Sequence, residues 1–315
     1  MSIFLNAILG QFLVIAVTVL ATFAVTLIFK TSTTTNFAQG SIAALGCYVV
    51  ADLLNKYKVP VYYGVLVGMV VGIGVGLVVD LVIFRKGRNV NAIGKQIITM
   101  GLVSVIFGGI PVIFGSPENI PFAPFYNYME LGAEPNFSFA LGGGDIVISK
   151  NGLLNLGITA LVITVIFLLL RYSKWGLGVR ATASNEFTAE LMGINTHMIT
   201  AVSWSIAGAL GVLAAAMYAS SSAISPSFMT TIQVNAFLAA ILGGFSTFYG
   251  PIIGAVLIPL AASLIGSLNS VLVSSGGSSS FDFARWSMII VYALMLVAIL
   301  IKPQGLFGKR IAKKV

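Results

Sequence analysis

The stretch MSIFLNAILGQFLVIAVTVLATFAVTLIF, residues 1–29, decides the fold class. It lacks a basic start, and its apolar run is too long for the short core of a signal peptide, so it reads as a membrane anchor that stays in the chain. The rest of the 315 residues has the same character, with 58% hydrophobic and 8% charged residues and a mean hydropathy of +1.02. Soluble domains carry roughly 25% charged residues, so most of this surface faces lipid. The sequence predicts an all-α, polytopic membrane protein of about 8–10 transmembrane helices forming one domain, residues 1–315, with little room for a soluble unit of useful size.

Apolar runs fit to span a bilayer cover 7–29, 37–54, 61–84, 96–115, 153–170, 198–219, 234–249, 251–273 and 286–301. Two are short or broken: 37–54 follows the polar run KTSTTTN, and 234–249 is interrupted by Gly243-Gly244 and ends at Gly250-Pro251. The net charge of +8 comes from short basic clusters between the runs, a pattern of topology rather than of nucleic-acid binding. Arg85, Lys86, Arg88 and Lys95, then Arg171, Lys174 and Arg180, then Lys302, Lys309, Arg310, Lys313 and Lys314 mark cytoplasmic loops by the positive-inside rule. The loop 116–150 instead holds Glu118, Glu130, Glu134 and Asp145 with prolines, glycines and aromatics, and is expected to be a folded external cap. Counting back gives nine crossings and an outside N-terminus. A re-entrant segment at 36–46 or 233–250 would change that parity. Gly68, Gly72, Gly74 and Gly76, and Gly250 with Gly254, have the small-residue spacing that lets helices approach closely in lipid.

Several chemistries are disfavoured. Cys47 and His197 are the only residues of their kinds, so neither a disulfide nor a cysteine zinc site can be built, and no nucleophile, base and orienter can be assembled. GIGVG and GLGVR are not phosphate loops, because neither lies between a strand and a helix and no GxxxxGK[ST] occurs. Two acids fall inside expected spans: Asp52, at the end of 37–54, and Asp80, near the cytoplasmic end of 61–84, which is read as snorkelling or pairing with Arg85 or Arg88. Two acids, each close to the end of its span, are too few for a proton relay. A sodium-coupled carrier built on carbonyls and hydroxyls stays open; otherwise uphill transport needs energy from a partner.

RATASNEFTAELMGIN, residues 180–195, is the polar exception. Ser184 can cap a short helix over 185–192, Glu186 suits its first turn, Gly193 can supply a left-handed stop, and Ile194 can pack back. Phe187, Leu191 and Ile194 form one stripe and Glu186 and Glu190 an acidic pair. About two turns of helix do not hold alone in water. Its acids do not suit an anionic leaflet, so a cytosolic protein is the expected dock.

The segment GLGVRATASNEFTAELMGINTHMITAVSWSIAGALGVLAAAMYA resembles the permease subunits of branched-chain amino acid ABC importers, where an arginine-alanine pair precedes a short helix ending in Ala-x-x-x-Gly-Ile-Asn. NFAQGSIAALGCYV (36–49), FLAAILGGFSTFYGPIIGAVL (237–257) and KPQGLFGKR (302–310) match in the same order, so the resemblance covers roughly 31–310. It implies a type II importer permease with inverted repeats and broken helices, in the bacterial cytoplasmic membrane. It implies that Glu186, Phe187, Ala189, Glu190, Leu191, Met192, Gly193 and Ile194, within a cytoplasmic coupling loop 171–197, contact an ATPase subunit. It also implies that Asn36, Phe37, Gln39 and Gly40, with Gly243 and Gly244 in the other half, lie by the translocation path.

The implied partners are ATP-binding cassette subunits, a second permease in a heterodimer or homodimer, an extracellular solute-binding protein and the lipid bilayer, with no nucleic acid. No cofactor is expected in this chain; ATP and magnesium would belong to the ATPase. Three features depart from the family pattern: KTSTTT is unusually polar, Gln39 stands where histidine is usual, and VLVSSGGSSSFDF (271–283) is rich in serine and glycine. The cargo is expected to be a branched-chain amino acid or a related small polar solute. The alternatives are a sugar, nucleoside, urea or amide, or a carrier or channel acting alone.

Overall fold

The computed structural model describes residues 2–87, 90–115, 136–141, 144–274 and 282–308. The helices are α1 (Ser2–Leu9), α2 (Phe12–Ser32), α3 (Gln39–Asn55), α4 (Val61–Val78, continued by a π-helical stretch Val79–Phe84), α5 (Ala92–Phe114), α6 (Lys150–Tyr172), α7 (Lys174–Ser184), α8 (Glu186–Leu191), α9 (Thr196–Ala219), α10 (Thr230–Gly243), α11 (Tyr249–Ser274) and α12 (Phe283–Ile301). Strands β1 (Asn136–Leu141) and β2 (Gly144–Ser149) pair antiparallel, with Phe137 opposite Ile148. This hairpin is a small exception to the expected all-α fold.

Seven helical segments among the described residues are long and apolar enough to cross a membrane, with α1 and α2 counted together. The other two of the nine expected crossings are shorter: α3 has 17 residues and α10 has 14. The reasons are local. The polar residues 33–36, after the end of α2, delay the start of α3 until Gln39, and Gly244, at φ +88°, stops α10. Of the expected cap 116–150, residues 116–135 and 142–143 lie outside the described residues, as do Arg88 and most of the serine-rich stretch 271–283. The rest of the cap is the hairpin, which docks on α1 through Asn6. The Asn6 amide donates to the Asp145 carbonyl at 2.8 Å and accepts from Val147 N–H at 2.9 Å.

Helices α2 and α9 form the centre of the bundle and are buried nearly all round, with Phe23, Leu27, Trp204 and Met217 closed to solvent. Helices α4, α5, α6 and α12 turn wide apolar faces outward, as lipid-facing helices do. The glycine spacing on α4 serves close packing: a Cβ on Gly72 would lie 2.6 Å from the Gly208 carbonyl oxygen of α9, while Gly74 faces open space.

Basic residues mark one end of the bundle. Ser32, Arg85, Lys95, Glu186 and His197 share a cleft there. Nearby, Lys30 donates to the Ser246 carbonyl, and the chain at 306–307 donates N–H bonds to the carbonyls of Leu242 and Gly243. The succession long, short, long, long occurs twice, in α2–α5 and α9–α12, and the two sets run in opposite directions.

Candidate translocation site and coupling helix

Both short helices begin in the middle of the bundle. The Gln39 amide, at the start of α3, donates to the Ala207 carbonyl midway along α9 at 2.7 Å. Gln39 Oε1 accepts from Asn36 Nδ2 at 3.1 Å, and Asn36 Oδ1 accepts from Ala38 N–H at 2.9 Å. Asn36 and Gln39 are both buried, so this chain of amides satisfies polar groups that hydrocarbon cannot. From the first turn of α10, Gln233 completes it, accepting from Gly40 N–H and donating to the carbonyls of Phe37 and Asn36. From that junction α3 runs away from the basic end and α10 runs toward it.

Beside the junction is a cavity of about 300 Å³ lined by Phe37, Gly40, Ser41, Met100, Val103, Phe107, Gln233 and Phe237, among others. Its wall is mainly aromatic and aliphatic. The rings of Phe37 and Phe237 lie 5.0 Å apart, and Phe37 N–H donates to Thr99 Oγ1 at 3.2 Å. Asn36, Phe37, Gln39 and Gly40 are therefore brought together. Gly243 and Gly244 are not with them. They lie ten and more residues beyond Gln233, about 15 Å by helical rise. There a Cβ on Gly244 would meet Gln304 and Gly308, and Gly243 packs on Gly250. Gln233 was not singled out by the sequence, where it is one of several polar residues (Thr230, Thr231, Asn235) at the edge of the run 234–249, with no spacing signal.

At the basic end the polar segment forms two helices, not one. Ser184 is the last residue of α7, and Asn185 is the cap of α8, accepting from Thr188 N–H at 3.0 Å. The expected range 185–192 is thus shortened to Glu186–Leu191. Gly193 adopts φ +82°, and two bonds close the helix: Gly193 N–H to Glu190 carbonyl at 2.9 Å and Ile194 N–H to Ala189 carbonyl at 3.0 Å. Ala189 is buried, and Ile194 turns inward against the core, so it does not continue the outer stripe. The exposed apolar group is Phe187, Leu191 and Met192, at 70%, 73% and 78% exposure. The acids also part: Glu190 accepts from Thr196 Oγ1 at 2.6 Å, while Glu186 lines the cleft.

That cleft, about 50 Å³, also contains Asp80, Arg85, Lys95, His197 and Thr200. Asp80 is buried, with Thr200, His197 and Arg85 nearby and no hydrogen-bond partner on Oδ2 among the described residues. It does not snorkel. No carboxylate–guanidinium contact forms with Arg85, and the ion pair among the described residues is Lys56–Asp52 at 2.7 Å. Groups of three or more His, Cys, Asp or Glu able to hold a metal are absent among the described residues.

Residues 7–299 match the family model described as "Branched-chain amino acid transport system / permease component". The probable branched-chain amino acid transport permease protein LivH of Methanocaldococcus jannaschii is 27% identical, over 92% of this chain and 88% of its own. The high-affinity branched-chain amino acid transport system permease protein LivH of Escherichia coli K12 is 26% identical, over 89% and 87%. The ribose import permease protein RbsC of the same organism is 28% identical over 68% and 62%. No solved structure matches the chain. With the model covering nearly the whole multi-pass bundle, the chain belongs to the family of branched-chain amino acid transport permease components.

Proposed function

We propose that this chain forms the translocation pathway for branched-chain amino acids in an ABC importer and takes its energy from ATPase subunits seated on α8. The observation that carries the reading is the exposed trio Phe187, Leu191 and Met192 on a helix capped at both ends, at the end of the bundle richest in basic residues. By the positive-inside rule that end is cytoplasmic. Three large apolar side chains held open to water on a fixed scaffold suit a protein groove, in the manner of a helix laid in a hydrophobic slot. ATP and magnesium then belong to the partner. A second permease subunit and an external binding protein complete the assembly.

The path runs past Asn36, Phe37, Gln39 and Gly40, and the cavity beside them favours an aliphatic cargo. A sugar exposes hydroxyls that an apolar wall leaves unpaired, a loss in proportion to the number of missing hydrogen bonds. Phe37, Phe107, Phe237, Met100 and Val103 offer none, and the polar lining side chains are Ser41, Thr230 and Gln233, so the wall suits a branched aliphatic side chain while those few groups are left for the charged ends of the amino acid. Uptake by the reconstituted complex tests the reading: leucine, isoleucine and valine should enter with ATP in the lumen facing the ATPase. Uptake of ribose in their place, or uptake by the permease without ATPase, would overturn it.

A further inference from the structure

We propose that Gln233 is a latch that joins the two half-crossings, holding the first turn of α3 against the first turn of α10 and so fixing the shape of the cavity between them. The segment before α3 leaves backbone groups of both signs in an apolar interior. Gly40 N–H belongs to the first turn of α3, where amides lack intrahelical partners. The carbonyls of Asn36 and Phe37 precede the helix. Gln233 Oε1 accepts from the first, and its Nε2 donates to both of the others, at 3.3 Å for Asn36.

A carboxamide alone among side chains of this length supplies an acceptor and two donors at one tip. An ionised glutamate could accept but not donate and would set its charge against two carbonyl oxygens, and a protonated one has a single donor for the two carbonyls. Methionine keeps the length and makes neither strong bond. Glycine at position 40 gives the room: a Cβ there would lie 3.2 Å from Gln233 Cβ and 3.3 Å from the Met229 carbonyl oxygen.

The latch joins residues 193 or more positions apart, and it stands at the edge of the cavity. Since α3 and α10 point to opposite ends of the bundle, a passage opened between them at either end loads this junction. With the latch closed the half-helices move as one body. With it broken they part, and the cavity loses its floor. The inference rests on the reading of this cavity as part of the pathway, and the test has one readout that does not.

That readout is thiol accessibility. In a Cys47→Ala background, Ser41→Cys places a thiol on the cavity wall, and its rate of modification by a small methanethiosulfonate is measured on the purified permease. Q233E should raise that rate at least tenfold, and Q233M should do the same; either variant serves if the other is not recovered monodisperse. Rates within twofold of the Gln233 protein would overturn the latch.

The second readout uses the full complex in vesicles and compares ATP hydrolysed with solute imported. A broken latch raises that ratio severalfold. A mere brace lowers the yield of complex and leaves the ratio unchanged, which would also overturn the proposal. If the unsubstituted complex imports no aliphatic amino acid, the cargo reading fails, and the thiol rates still decide the latch.

Discussion

Replacing Phe187 and Leu191 together by alanine should detach the ATPase while leaving the permease fold intact. Both side chains stand about seven-tenths open, at 70% and 73%, so neither contributes much to the core of the free subunit. Fully burying a Phe or Leu is worth about 1.5–3 kcal/mol. The open fraction therefore leaves roughly 1–2 kcal/mol for each to gain on a partner, or about 3 kcal/mol for the pair. At 1.4 kcal/mol per decade, that is a loss of about 100-fold in affinity. The assay is titration of purified ATPase onto the detergent-solubilised permease, read by interferometry, with a thermal melt of each variant alone. The melt should move by about a degree or less, since exposed substitutions away from special features change stability little. An affinity within threefold of the parent would refute the docking role of α8. A lowered melt would instead mean that the two side chains support the fold, against their exposure.

Three further outcomes follow from the same geometry. Asn185→Ala removes the α8 cap and should cost about 1 kcal/mol of local helix stability, seen as faster amide exchange at residues 186–189 and weaker ATPase binding with an unchanged global melt. Gly72→Ala pushes a Cβ to 2.6 Å from the Gly208 carbonyl oxygen and should destabilise by about 1–3 kcal/mol, whereas Gly74→Ala, facing open space, should leave the melt in place; equal effects would break the packing account. Glu190→Ala loses a 2.6 Å bond from Thr196 and should loosen the α8–α9 corner, with protease sensitivity between 184 and 196 as the measure, while Glu190→Leu/Leu191→Ala would mix this corner with the docking face.

What the sequence made legible was what depends on neighbours in the chain. Gly193 followed by Ile194 spells a left-handed stop, and the structure has both bonds of that stop. The polar run 31–36 and the pair Gly243-Gly244 foretold two shortened crossings, and α3 and α10 are those. Ser184 and Asn185 are adjacent residues of equal capping power, and local chemistry could not choose between them. The choice fell to Asn185 because α7 runs on through Ser184, and α7 itself was hidden by Gly176 and Gly178 in a short basic stretch. Those glycines are there because α7 folds back on the end of α6: Gly176 packs on the Leu170 backbone, and Arg180 donates to the Leu170 carbonyl. Gln233 was illegible for a different reason. Its partners are backbone groups almost 200 residues earlier, and no periodicity records a bond to a distant main chain.

The two places of interest are joined by a single helix. Asn195 caps α9 by accepting from Met198 N–H at 3.1 Å, and Thr196, the first residue of α9, is bound to Glu190 of α8. The corner between α8 and α9 is thus pinned at both of its sides, and a displacement of α8 displaces the start of α9. Eleven residues on, about 16 Å by helical rise, the Ala207 carbonyl holds Gln39 and, through Asn36 and the adjoining backbone, reaches Gln233. Around that length α9 is enclosed, with Trp204, Leu210 and Val212 buried and Gly208 set against Gly72. A close-packed helix of this kind transmits a shift along its axis with little bending, because its neighbours leave no void to absorb it. On the proposed docking of an ATPase, the amide network in the middle of the bundle sits where a push on α8 would arrive, next to the apolar cavity.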